Sequence, residues 1–378
     1  MKHISAFNKT RTSLILMALL TSLSACNQQK VEETVAEETA PEATEVVANT
    51  AGLAYVTSQD SGVSVIDLNT MEVIQSIDVK AEGPRGLGVT DDGKKLIVAT
   101  RENESISVID TATGEVTQQI NVGKNPEFVR IRGNFAFVSS EPSAVGGPPP
   151  KPGSKEAEED DDDDDKTPAR IAIVDLVKGE KIKDIVGGPE TEGIEFSADG
   201  NNIVITNEAD NTITVHSIET GELVKTISTH EYGDRPRGIK VSPDGQTYVA
   251  TLEYGNKFMV LDKDFNVLRT VDTGNVPYGV AFDATGDHIY VAANKEKALQ
   301  VFDAKTYEKV KDIPTGDRCW HFSFTPDDKQ ILLACGKSHE VLVIDAEKQE
   351  VTKKLPMPDL PWGVVTYPKA MGSLDTKL

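Results

Sequence analysis

The side chains in this sequence best able to do chemistry recur at one place in a repeated motif. A charged or aromatic residue stands just before a mostly small or apolar step at Arg85-Gly86-Leu87, Glu127-Phe128-Val129, Glu192-Gly193-Ile194, Arg237-Gly238-Ile239, Tyr278-Gly279-Val280, Trp320-His321-Phe322 and Trp362-Gly363-Val364. Two cations, two carboxylates and three aromatics vary there while their neighbours stay monotonous, and both tryptophans of the chain are among them. Aromatic walls with a few convergent charges suit a ligand pocket. The same residues can instead satisfy one another through Arg–Glu pairs and ring stacking, plugging the space between them. The sequence leaves both outcomes open for Arg85, Glu127, Glu192, Arg237, Tyr278, Trp320, His321 and Trp362.

Catalytic groupings are weaker. Glu127 and Glu192 could act as a general acid and base, but Arg85 and Arg237 in the same series make ion pairing the simpler account. His321 follows Trp320 where most units carry Gly, and strand alternation predicts that it points away from the space Trp320 faces. His216, His230, His288 and His339 fall in different units, and no Cys-x-x-Cys exists, so zinc ligation is not expected. Covalent haem is excluded by the lack of Cys-x-x-Cys-His, and no nucleophile elbow or phosphate loop is present. No catalytic residue, metal or cofactor is assigned.

What must position these residues is a repeat. A strand ending in Asp recurs at Val65-Ile66-Asp67, Val108-Ile109-Asp110, Ile173-Val174-Asp175, Val260-Leu261-Asp262, Val301-Phe302-Asp303 and Val343-Ile344-Asp345, with a degenerate copy at Val215-His216-Ser217. Successive copies lie 43, 65, 42, 45, 41 and 42 residues apart, and the long gap falls at the same place in the opening motifs. Between them run short β-rich segments and tight turns, as over 279–292, with no helical period. Seven such units predict an all-β, seven-bladed β-propeller. The first unit begins mid-repeat at residue 53 and the last stops after its opening strand, over 362–367. Each fragment alone would leave an unpaired sheet edge. Placing the C-terminal strand innermost in the N-terminal blade closes the ring.

Tyr55-Val56-Thr57-Ser58, Tyr248-Val249-Ala250-Thr251 and Tyr290-Val291-Ala292-Ala293-Asn294, with the turns Ser242-Pro243-Asp244-Gly245 and Asp110-Thr111-Ala112-Thr113-Gly114, make 51–368 resemble the YVTN family of β-propeller repeat proteins. The resemblance implies the fold, while propellers host unrelated activities. Similar propellers include lactonase-like hydrolases, which use carboxylates and a metal in the funnel and whose metal constellation is not matched residue by residue. The propeller halves of haem-containing nitrite reductases and quinoprotein-pathway proteins also look similar.

The flanks carry further expectations. Residues 1–26 read as an export address: Lys2, Lys9 and Arg11 precede an apolar run over 14–20, and Leu23-Ser24-Ala25-Cys26 resembles the bacterial lipobox. That resemblance implies lipidation of Cys26 and, with Asn27 next, an outer-membrane lipoprotein held by several acyl chains. Residues 27–50, rich in Glu, Ala and Thr, read as a solvated acidic tether. An insertion over 141–168 is rich in Pro and Gly, then acidic over 156–165. It is expected between the second and third strands of its blade as a self-repelling loop, and its unbroken Asp run lacks the varied spacing of a calcium cage. Residues 369–378 form a tail after the last repeat. Cys319 and Cys335 flank a turn centred on Asp327, which sets them opposite each other and predicts a disulfide.

A formal net charge of −22 argues against nucleic acid. The expected protein is a monomeric outer-membrane lipoprotein, facing the periplasm or the cell surface. It acts as a non-enzymatic binding scaffold for a small ligand or a periplasmic partner through its funnel face. The alternatives are a lactonase-like hydrolase and an accessory to periplasmic quinoprotein or cytochrome electron transfer.

Overall fold

The computed structural model describes residues 52–142 and 167–375. Cys26, the tether over 27–50 and the Asp tract lie outside the described residues. Twenty-eight strands form seven four-stranded antiparallel sheets, with two short 3-10 turns and no α-helix among the described residues.

From the innermost strand outward, blade 1 is Pro361–Tyr367, Leu53–Ser58, Gly62–Asp67 and Glu72–Ile77. The strand near the C-terminus is thus innermost in the sheet that the N-terminal strands begin, paired through Leu53–Tyr367 and Tyr55–Val365. Blades 2 to 7 follow in chain order, with innermost strands Pro84–Val89, Pro126–Arg132, Thr191–Phe196, Pro236–Val241, Pro277–Phe282 and Cys319–Phe324. The insertion leaves blade 3 between its second strand, Phe135–Ser140, and its third, Arg170–Asp175.

Burial falls from the axis outward. Innermost strands such as Pro277–Phe282 are buried at every residue, whereas the outermost strand of the same blade, Lys309–Pro314, buries only Ile313. Apolar residues on both faces of the inner strands pack between neighbouring sheets. Lys, Glu and Thr are interspersed with exposed Val and Ile along the outer edge, and a bulge interrupts the pairing of the outermost strand in every blade. Charge and bulge together disfavour edge-to-edge association.

The recurring Asp has a local physical cause. Its carboxylate accepts backbone N–H bonds from the turn that follows, most often two and three residues on, as Asp110 does from Ala112 and Thr113 and Asp303 from Lys305 and Thr306. This closes the turn into the outermost strand. In the degenerate copy Ser217 Oγ takes the same role, accepting from Thr220 N at 3.2 Å. The hydroxyls of the Tyr-Val-Thr-like strands staple blade to blade. Thr57 Oγ1 accepts from Gly363 N and donates to Arg85 O, and Thr206 Oγ1 accepts from Gly193 N and donates to Arg237 O.

The tail also has structure. Ala370, Ser373, Leu374 and Asp375 are buried. Asp375 accepts from Val89 N and Ile131 N and lies 3.0 Å from Lys369 Nζ, while Lys240 Nζ donates to Leu374 O and Ser323 Oγ accepts from Leu374 N. Those partners sit toward the far ends of innermost strands from blades 2, 3, 5 and 7. The segment therefore crosses the axis and closes one end of the channel, leaving the other as the mouth.

Candidate functional site

The mouth is built from three tiers of backbone-equivalent positions. The first is the residue before each innermost strand: Leu360, Gly83, Asn125, Glu190, Arg235, Val276 and Arg318. All seven have positive φ, between 50° and 65°. For the non-glycine members this is a costly left-handed conformation. The second tier is the residue that leaves each second strand: Gln59, Arg101, Glu141, Glu208, Glu253, Asn294 and Gly336. In every blade the second-tier N–H donates to the first-tier carbonyl, at 2.8 to 3.1 Å. That bond fixes both side chains at the rim.

The third tier is the series found in the sequence: Trp362, Arg85, Glu127, Glu192, Arg237, Tyr278 and Trp320. Each sits in a bulge where an innermost strand gains one residue on its partner, as between Cys319 and Phe322. Gly usually follows, because a Cβ there would strike the backbone of the next blade: Gly279 faces Trp320 O and Gly193 faces Arg237 O. Phe128 and His321 replace that Gly in two blades.

The bulge corrects one expectation. Alternation was to turn His321 away from the channel, but the extra residue breaks alternation. Its imidazole meets the rings of Trp362, Tyr278 and Phe128 at 4.4, 5.2 and 5.4 Å, residues of three other blades that converge only at the axis. His321 is 2% exposed and its Nε2 has no hydrogen-bond partner. Burial, and then the cations Lys240, Arg237 and Arg85, push its pKa down to about 3, so it is neutral. With Phe128 and Trp362 it forms an aromatic floor. Trp362, 1% exposed, is core as much as wall.

Above the floor, most charges satisfy one another. Arg85 pairs with Glu127, and Arg237 with Glu192, Glu208 and Glu253. Arg235 pairs with Glu208 and Glu253. Tyr278 lies beneath Arg237 at 4.7 Å and donates its hydroxyl to Glu192 at 2.9 Å. Burial raises the Glu253 carboxyl pKa, but Arg237 and Arg235 together outweigh it and hold it below its ordinary value. Both sequence alternatives therefore apply at different depths: paired charges and rings close the floor, and a recess of about 160 Å³ remains above it. Among the described residues no three His, Cys, Asp or Glu side chains are arranged to hold a metal, and the carboxylates nearest the axis are taken by guanidinium groups. The donor set does not fit the metal implied by the lactonase-like resemblance.

Cys319 and Cys335 face each other in register and are bonded as a disulfide. The bond ties the innermost strand carrying Trp320 to the strand ending at Cys335, just before Gly336. The Trp320 indole lies over Gly336, where a Cβ would collide with it, and Arg318 stacks on that indole at 5.2 Å. The first and second tiers escaped the sequence reading. The recurring Pro after the first-tier residue, as in Arg235-Pro236 and Val276-Pro277, was the available signal.

Residues 29–133 match the model of YNCE-like β-propellers, and 180–267 match that of the lactonase seven-bladed β-propeller. No curated protein sequence matches the chain. Among solved structures, a functionally unknown protein of Desulfotomaculum acetoxidans superposes with a TM-score of 0.68 at 18% identity, over 83% of this chain and 98% of that one. A protein of Bacteroides uniformis provisionally assigned as a 6-phosphogluconolactonase gives 0.67 at 15% identity, over 84% and 99%. The dihydro-haem d1 dehydrogenase NirN gives 0.59 at 17% identity, over 83% and 75%. At these identities the likeness establishes architecture. The chain is a seven-bladed β-propeller with a YNCE-like stretch near its N-terminus and a lactonase-like stretch across its middle blades.

Proposed function

We propose that this protein is an outer-membrane lipoprotein, anchored through Cys26, whose propeller binds a small ligand or a periplasmic partner in its funnel without transforming it. One observation carries the reading. The buried Arg and Glu side chains around the recess are largely committed to each other, which leaves a shaped polar surface and no nucleophile–base pair. Rigid recognition is what such a surface does well. The test is mass spectrometry of whatever co-purifies with the natively isolated protein. Trp320→Ala is expected to release that species while circular dichroism stays unchanged. Retention by the variant, or the absence of any bound species, overturns the reading.

A second reading, a lactonase-like hydrolase, is favoured by the match over 180–267, which contains Glu192, Glu208, Arg237 and Glu253 of the mouth. It requires turnover of a sugar lactone such as 6-phosphogluconolactone that falls at least a hundredfold in Glu192→Gln. No turnover above the uncatalysed rate, with or without added divalent cations, removes it.

A further inference from the structure

The recess is uneven in how its charges are matched. Arg85, Arg101, Arg235 and Arg237 each have a carboxylate within 4.0 Å, and Glu127, Glu192, Glu208 and Glu253 each have a guanidinium within that distance. Two of the lining groups, one on each side of the mouth, stand outside these ion pairs. Arg318, on blade 7, has its guanidinium stacked on Trp320 and faces no carboxylate. Glu141, on blade 3 across the mouth, is 6% exposed and has only a long contact from Asn125 Nδ2 at 3.5 Å. Next to it stands a buried acceptor with nothing donating to it. Glu127 Oε1 belongs to a residue 0% exposed, receives no hydrogen bond, and lies 4.0 Å from Arg101 Nε. A buried carboxylate oxygen left without a donor is costly, so the blade 3 side of the recess asks for a donor and the blade 7 side for an acceptor.

We infer that the funnel takes a small zwitterion, its ammonium group at Glu127 and Glu141 and its carboxylate at Arg318. A bare cation would leave Arg318 unanswered, and a bare anion would meet the carboxyls of blade 3. Primary ammonium supplies three donors, enough to reach both Glu127 Oε1 and the Glu141 carboxyl, while guanidinium matches a carboxylate through two parallel bonds. Burial, with repulsion from Glu127 and Glu192, holds the Glu141 carboxyl well above the usual range, and an arriving ammonium reverses that balance. A recess of about 160 Å³ accepts a short chain and not a macromolecule. The ligand class is therefore an ω-amino acid or a short peptide of similar reach.

This inference rests on the funnel being a binding site, and the experiment separates the two. The full chain is titrated calorimetrically with 4-aminobutyrate, 5-aminovalerate and 6-aminohexanoate, and with butylamine and butyrate as single-headed controls. At least one double-headed compound is expected to bind, with both controls at least tenfold weaker. Arg318→Gln and Glu141→Gln are each expected to weaken that compound about tenfold, equivalent to about 1.4 kcal/mol, with unchanged melting temperature. Equal binding of a control, no binding by any of the three, or unaltered binding in both variants overturns the zwitterion. A natively co-purifying species lost in Trp320→Ala but kept in Arg318→Gln and Glu141→Gln would sink the zwitterion and leave the binding role standing.

Discussion

The two arcs of the funnel mouth share one backbone and differ in almost everything else. Blades 2 to 5 place charged residues at ten of their twelve tier positions, lacking charge only at Gly83 and Asn125. Blades 6, 7 and 1 place Tyr278, Trp320 and Trp362 there with neutral neighbours and the single charge of Arg318. In the charged arc, order comes from ion pairs deep enough that no member can be removed alone. In the aromatic arc it comes from area, ring geometry and a covalent tie between Cys319 and Cys335. The strands supply equivalent positions, and side-chain chemistry decides how each sector is held.

Substitutions that remove one holding device at a time can break or sharpen this contrast. Trp362→Ala takes a fully buried indole from the aromatic floor and from the strand that closes the ring. A loss of about 3–5 kcal/mol is expected in urea unfolding, and a loss below 1 would show that the floor carries little. Arg237→Met leaves Glu192, Glu208 and Glu253 short of their shared cation. About 3 kcal/mol should be lost by the same measurement, and an unchanged midpoint would mean that the charged arc is merely solvated.

His321 links the arcs and gives them a pH signature. Its pKa in the fold, about 3, lies below the unfolded value of 6.5. Its contribution is therefore complete above pH 6.5 and is lost as pH falls toward 3. Between pH 7 and pH 4 the wild type should lose roughly 3 kcal/mol more than His321→Leu, whose side chain cannot titrate. Parallel pH profiles would place His321 in contact with water. Replacing both Cys319 and Cys335 by Ala opens a link with a sequence separation of 16 residues, for which the chain-entropy account gives about 3 kcal/mol or somewhat less. Thermal unfolding under oxidising and reducing conditions checks it, since the variant should not respond to reductant. Arg318→Gln, at the exposed rim of the aromatic arc, should cost no more than about 1 kcal/mol of stability. A larger loss would mean that the guanidinium holds the mouth together.

Much of this was readable along the chain because each repeat carries its own local chemistry. The terminal Asp of the third strand closes a turn two to four residues away, and Ser217 closes it three residues away in the copy that looked degenerate. Both signals act within a few residues, so they survive in a linear string. The outermost strands were fainter, since Lys309–Pro314 and its counterparts bury at most one residue and show no alternation. Side-chain direction in the innermost strands was not readable, because one extra residue per strand cancels the period of two at the place where the site lies. The left-handed residues before the innermost strands were missed because nothing in an Arg, Glu or Val announces positive φ, and the Pro that follows five of the seven was the one local sign.

The sequence by itself determined the number of blades, the closure of the ring by the strand near the C-terminus, and the facing of Cys319 and Cys335, because repeat spacing and strand register are properties of neighbours along the chain. Only the tertiary structure decided which charges cancel, that His321 turns inward, and that residues up to Asp375 close the far end of the channel. Those outcomes depend on side chains from different blades meeting at a common axis, and distance across a ring leaves no trace in the order of residues.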